Sequence, residues 1–234
     1  MLLGGQGGLG VLAAAALLRL GALRVLLASR GDASSPELLQ LQRDYGDRLA
    51  RARCDVTQAA EASALWQALQ QQGEQGEQGE GWHVVYLAGG LRDGLLRANK
   101  AAAGVAEVWG AKVEGLRRLL AAAAPAQLRS VLFCSSLAGA VGNWGQAAYA
   151  LANRLAEGVA AQLQGRVLSV RWAGVQGVGM ARGLAGSARY APLLVTPAAF
   201  TRLLEALLRR SLEPGFYDSG DAGAALRVTV VPPA

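Results

Sequence analysis

Short apolar runs alternate with longer stretches in which apolar positions recur every three or four residues, and the alternation continues along the whole chain. The runs predict strands at Met1–Leu3, Arg24–Ala28, Ala50–Cys54, Trp82–Ala88, Ser130–Cys134, Arg166–Trp172 and Arg227–Val231. The helical periods predict helices at Leu9–Leu20, Glu37–Tyr45, Ala59–Gln72, Gln146–Leu163 and Thr196–Ser211, and a long helical region over Leu95–Ala123 interrupted near Gly104 and Gly110. Strands separated by helices require a parallel sheet covered on both faces. The expected fold is therefore α/β, a doubly wound parallel sheet in a single domain over 1–234, with its ligand at the carboxyl ends of the strands. Two stretches break the pattern. GEQGEQGEG, residues 73–81, reads as a flexible surface insertion, and the glycine-rich 174–190 suits a mobile loop over a site. The first strand is a stub, as expected of a chain cut from something longer.

Composition narrows the picture. Apolar types make up 52% and charged types 17% of the 234 residues, a low charge density that suits a domain with neighbours. The net charge of +6 is spread out with no basic run of five, which argues against a nucleic-acid partner and leaves an anionic cofactor or an acidic partner. Cys54 and Cys134 are too few for a disulfide framework, and His83 reads as a core or strand-edge residue, so no metal site is expected. Val11–Leu27 is broken by Arg19, Gly21 and Arg24, which excludes a membrane span there; the expectation is a cytoplasmic protein.

Candidate chemistry begins at Gly4-Gly5-Gln6-Gly7-Gly8-Leu9-Gly10, where the first strand hands over to the first helix. Glycines there let the backbone turn tightly, approach a pyrophosphate and aim a helix N-terminus at its charge. The second strand ends Ala28-Ser29-Arg30; an arginine in that place attracts a 2′-phosphate, which favours NADPH, the alternative being a solvated loop residue. Cys54-Asp55-Val56 ends the third strand, and Asp55 fits either the adenine edge or a helix cap. Further on, Ser135 and Ser136 follow an apolar strand, and Tyr149 and Asn153 stand four apart on one helix face. A phenol that protonates an alkoxide needs a nearby cation to lower a pKa of about 10. Asn153 supplies none. In isolation Ser136 also reads as a turn residue and Lys112 as a solvated helix residue.

GGQGGLG, CDVT, AGGLRDG, AKVEG, FCSSLAG and YALAN occur in an order and at a spacing that resemble the ketoreductase domains of modular polyketide synthases, a branch of the short-chain dehydrogenases/reductases. The resemblance runs from about Leu2 to Pro232. It implies that Tyr149 is the proton donor, that Ser136 hydrogen-bonds the substrate carbonyl, and that Lys112, on the preceding long helix, lowers the tyrosine pKa and holds the nicotinamide ribose. Asn153 then supports the lysine and a proton-relay water, and Ala88 and Gly89 of the AGGLRDG stretch join the cofactor-binding set. Leu91-Arg92-Asp93 half keeps the Leu-Asp-Asp motif of one stereochemical class; the position of the other class's tryptophan is Val141, with Trp144 three places displaced. The family pattern thus leans to the D-configured hydroxyl. Residues 174–190, with Trp172 and Met180, resemble its substrate lid. Leu3 replaces the family's threonine before the first glycine. The implied partners are an acyl carrier protein domain bearing a phosphopantetheine-linked β-ketoacyl chain, other synthase domains, and a separate structural half of the ketoreductase.

The implied activity is NADPH-dependent reduction of a β-ketoacyl thioester to the β-hydroxyacyl thioester. A redox-silent scaffold of the same fold is an alternative, separated by NADPH titration. A stand-alone 3-oxoacyl reductase of fatty-acid synthesis is a third, and Asn153 in place of the usual lysine argues against it.

Overall fold

A computed structural model of the chain describes residues 1–32, 34–73, 81–94, 102–124, 128–163, 166–184, 193–212, 216 and 226–230. In chain order the elements are β1 (Leu2–Leu3), α1 (Gly8–Arg19), β2 (Val25–Ser29), α2 (Pro36–Tyr45), β3 (Leu49–Arg53), α3 (Ala59–Gly73), β4 (Trp82–Tyr86), α4 (Ala102–Trp109) and a π-helical turn (Gly110–Glu114). There follow α5 (Gly115–Ala122), β5 (Leu128–Ser136), α6 (Ala138–Val141), α7 (Ala147–Ala161), β6 (Val167–Trp172), β7 (Gly174–Val175), β8 (Leu194–Val195), α8 (Pro197–Leu212) and β9 (Leu226–Thr229).

Seven parallel strands form one sheet in the order β3-β2-β1-β4-β5-β6-β9, the doubly wound arrangement expected from the sequence. Two-residue β1 is the third strand, between β2 and β4, with Leu2 and Leu3 paired to Leu27 and Ala28 on one side and to Val85 and Tyr86 on the other. Strand alternation sends successive side chains to opposite layers. Val131 and Phe133 of β5 join Trp66 of α3, Leu116 of α5 and Ala156 of α7, while Leu132 and Cys134 join Ala14 of α1, Leu38 of α2 and Phe200 of α8. The order reverses between β1 and β4, and the chain opens a crevice at that point.

Some boundaries move. The strand expected at Ser130–Cys134 spans Leu128–Ser136, so both serines pair in the sheet, opposite Arg171 and Trp172. Helix α4 runs through Gly104 without a break, and the interruption near Gly110 is the π-turn. The repeat over 73–81 lies outside the described residues except for Gly73, the last residue of α3, and Gly81. The described part of the loop expected over 174–190 contains β7, which pairs with β8, and a short 3-10 helix, Gly179–Leu184. Among the described residues no helix is long and apolar enough to cross a membrane, and no group of three or more His, Cys, Asp or Glu could hold a metal ion. His83 is the second residue of β4, exposed, with Nδ1 2.7 Å from the Ser130 hydroxyl.

Candidate active site

Two clefts open at the carboxyl ends of the strands. The first, about 260 Å³, is lined by Gly4, Gln6 and Gly7 of the loop after β1, Ser29 and Arg30 after β2, Cys54, Asp55 and Val56 after β3, and Ala88 and Gly89 after β4. Its glycines are required by close approach. Gly4 has φ +79°, and a Cβ there would lie 2.8 Å from the Ala88 amide; one on Gly10 would lie 2.3 Å from the Gly5 carbonyl oxygen. Gly5 packs on Leu2 and Gly8 on Val178, so apart from Gln6 the loop is bare backbone between strand and helix, a cradle suited to a dinucleotide pyrophosphate at the N-terminus of α1. Leu9 faces the second cleft rather than this one.

The Gln6 amide donates to the Ser29 hydroxyl at 3.1 Å, which ties the glycine loop to the end of β2. Arg30 is exposed at the rim. Asp55 Oδ1 accepts from the Thr57 amide at 2.9 Å and the Thr57 hydroxyl at 2.7 Å, so of its two expected roles the turn leading into α3 is the one its contacts display.

The second cleft, about 300 Å³, holds the catalytic candidates. Lys112, Ser136 and Tyr149 line it together, with Cys134, Leu87, Leu91, Val141, Trp172, Met180 and, from the segment after β7, Val178 and Leu184. Tyr149, near the start of α7, is 8% exposed. Burial pushes its phenol above the ordinary value; hydrogen bonding with Ser136 and Asn153 pulls it back, and the Asp93 carboxylate pushes it up. Lys112 is 3% exposed, and burial lowers its amine to about 8. Its Nζ donates to the Cys134 carbonyl at 2.8 Å and lies 5.2 Å over the Phe133 ring. A Cβ on Gly89 would meet Lys112 Cε at 2.7 Å, so that glycine is the gap through which the lysine reaches the cleft. Asn153 Nδ2 donates to the Tyr149 carbonyl at 2.8 Å, while its Oδ1 is buried without a partner.

The remaining candidates frame the mouth. Asp93 Oδ2 accepts from Gln146 at 3.1 Å, and the Gly94 amide donates to the Gly145 carbonyl at 2.8 Å, which joins the AGGLRDG segment to the start of α7. Val141 is 76% and Trp144 81% exposed; Val141 lines the cleft and Trp144 does not.

Sequence reasoning missed Glu157. It stands two turns below Tyr149 on the same face of α7, wholly buried, and its carboxylate accepts from the Ser135 hydroxyl at 2.6 Å and from Arg171 at 2.8 and 2.6 Å. The positions 149, 153 and 157 share one helical stripe, and that spacing was the available signal. The two serines therefore divide: Ser135 serves the Glu157 pair, and Ser136 interacts with the phenol.

The model of one protein family, the KR domain, matches residues 1–177. Among curated proteins, the chain is 32% identical over 160 residues to polyketide synthase GfsA of Streptomyces halstedii, covering 67% of this chain and 2% of that protein. It is 32% identical over 188 residues to the highly reducing polyketide synthase otaA of Aspergillus carbonarius, covering 74% and 7%. The chain spans between 2% and 10% of the length of the curated relatives it matches. Among solved structures, an actinorhodin polyketide ketoreductase variant with NADPH superposes with a TM-score of 0.77 at 20% identity over 98% of this chain and 94% of that one. The structure of gox2181 gives 0.76 at 17% over 97% and 92%. At these identities the superpositions establish the fold.

Proposed function

This chain belongs to the KR-domain family, the ketoreductases of polyketide synthases within the short-chain dehydrogenases/reductases, and from that membership we propose that it reduces a β-ketoacyl thioester with NADPH. The observation that carries the reading is the convergence of Tyr149, Ser136 and Lys112 on one apolar cleft beside a glycine cradle. NADPH, when bound, supplies the hydride. Residues Gly4–Gly10 suit its pyrophosphate, Ser29 and Arg30 its 2′-phosphate, and Lys112 its nicotinamide ribose.

Ser136 donates a hydrogen bond to the ketone oxygen and holds it against Tyr149, whose phenol gives up its proton as negative charge develops there. Phenolate in a buried site needs compensation. Lys112 is the cation among the residues lining this cleft, and Asn153, one turn along α7 with an unpaired buried Oδ1, suits a relay water that returns the proton. Leucine, valine and tryptophan side chains around the catalytic group suit an acyl chain and exclude water. An acyl carrier protein domain is the proposed donor of that chain. The half-kept Leu91-Arg92-Asp93 motif supports the D-configured product. Following NADPH oxidation with a β-ketoacyl thioester tests the reading. Tyr149→Phe is expected to lower turnover by about 10²-fold or more; unchanged turnover removes the assignment.

A further inference from the structure

Lys112 stands at the centre of the π-turn between α4 and α5. In such a turn an amide reaches back five positions rather than four, as the Gly115 amide does to the Gly110 carbonyl. Where a four-residue ladder resumes beyond such a turn, one carbonyl of the turn goes without an amide. A buried carbonyl without an amide needs another donor. Tyr86 provides it: from β4, with its side chain wholly buried, its hydroxyl donates to the Ala111 oxygen at 2.6 Å.

The same ring is linked to the amine by packing. Tyr86 and Phe133 lie with centroids 6.0 Å apart, and the Lys112 ammonium sits over Phe133. Gly115 presses so closely that a Cβ on it would stand 2.7 Å from the Tyr86 hydroxyl and 2.6 Å from Val56 Cγ2. Ala111 lines the first cleft and Lys112 the second, so two adjacent residues of the turn face the two clefts, one each. Closing the turn to a regular helix removes one residue from the winding and rotates what precedes it by up to about 100° relative to α5. The lysine is aimed only while the turn stays open.

We propose that Tyr86 is a positioning residue for Lys112: its hydroxyl holds the π-turn open and so keeps the lysine amine in the cleft with Tyr149 and Ser136. The catalytic consequence rests on the ketoreductase reading; the positioning does not. Tyr86→Phe removes one oxygen and leaves the ring. Competitive acetylation of amines across a pH series, read by mass spectrometry of the Lys112 peptide with Lys100 as internal reference, reports the amine without any turnover. The Cys134 thiol, pushed up to about 12, and the raised Tyr149 phenol are uncharged near neutrality, so the midpoint reports how far water reaches the lysine. It is expected near 8 in the wild type and about one unit or more higher in Tyr86→Phe, as the loosened turn admits solvent. Turnover is expected to fall about tenfold with the thioester KM within roughly twofold. Gly115→Ala, which leaves Tyr86 in place but crowds its hydroxyl, is expected to move the same midpoint, and it decides the matter if Tyr86→Phe fails to fold by circular dichroism. A midpoint within about 0.2 units of wild type in the folded variants overturns the proposal. A shifted midpoint in a protein that never oxidises NADPH keeps the positioning role and removes the ketoreductase reading instead.

Discussion

Replacing Glu157 with glutamine tests how α7 is fixed to the sheet. The carboxylate is 1% exposed, accepts from Ser135 and makes a two-point pair with Arg171, whose side chain is 15% exposed. Arg154 at 3.5 Å and Arg227 at 3.9 Å are about half exposed and add little. Breaking a buried pair from one side costs about 3–5 kcal/mol, because the other charge is stranded. Glutamine keeps one acceptor, which puts the expectation at the low end, about 3 kcal/mol, or a melting temperature lower by about 6–12 °C for a chain of this length. The pH dependence supplies a second signature. Burial raises the carboxyl while Arg171 and Ser135 lower it, and the net direction is below its ordinary value of 4.5. A depressed carboxyl contributes stability that is present above the unfolded value and lost as pH falls through the folded one. Urea unfolding should thus show a constant gap between wild type and Glu157→Gln from pH 7 to about 5, narrowing in more acid solution. A gap under about 0.5 kcal/mol at pH 7, or one that does not narrow, refutes the reasoning.

Other substitutions separate the parts of the site. Gly10→Ala sets a methyl group against the Gly5 carbonyl and is expected to cost about 1–3 kcal/mol by urea unfolding and to weaken NADPH binding in a fluorescence titration. Lys112→Met is expected to abolish turnover yet to be most stabilising, relative to wild type, below pH 8, because the cost of burying the charged amine disappears as pH rises from 8 towards the unfolded value. Calorimetry at pH 7 and pH 10 reads that difference. Ser136→Ala should lower kcat with little change in melting temperature, and Ser135→Ala should do the reverse, since only the second leaves Glu157 short of a donor.

Local periodicity was enough to read the frame. Apolar runs and helical stripes placed seven strands and the helices between them, and the glycine cluster marked the crevice, because those features depend on neighbours within a few residues. What the pattern could not give was set by distant partners. Ser135 and Ser136 have the composition of a turn, but pairing with Arg171 and Trp172 keeps them in β5. Gly104 reads as a breaker, yet α4 passes through it, whereas Gly110 opens a π-turn that spacing alone cannot distinguish from a kink. Asp55 was equally suited to the adenine edge or a helix cap, and only the fold shows Thr57 on its Oδ1 while the residue still lines the first cleft. Tyr86 reads as an ordinary core aromatic; only the carbonyl it meets, twenty-five residues along the chain, gives its hydroxyl a purpose.

On the proposed reading the stretch GQAAYALAN carries an acid without a cation, and the cation has to come from elsewhere in the fold. A lysine four residues after the tyrosine would be fixed to it by helix geometry alone. Here the amine arrives from the segment between α4 and α5, so its place depends on a π-turn, on the gap at Gly89 and on the carbonyl of Cys134. The same burial acts on the two groups in opposite senses, raising the phenol and lowering the amine to about 8. Near neutral pH the tyrosine then holds its proton and the lysine its charge, which is the pairing that proton donation to a developing alkoxide requires. Above about pH 8 the lysine discharges before the tyrosine ionises, so on the proposed reading the alkaline limit of activity belongs to Lys112. On the proposed reading, moving the cation off the tyrosine's own helix makes its placement a property of the packed sheet rather than of one local motif.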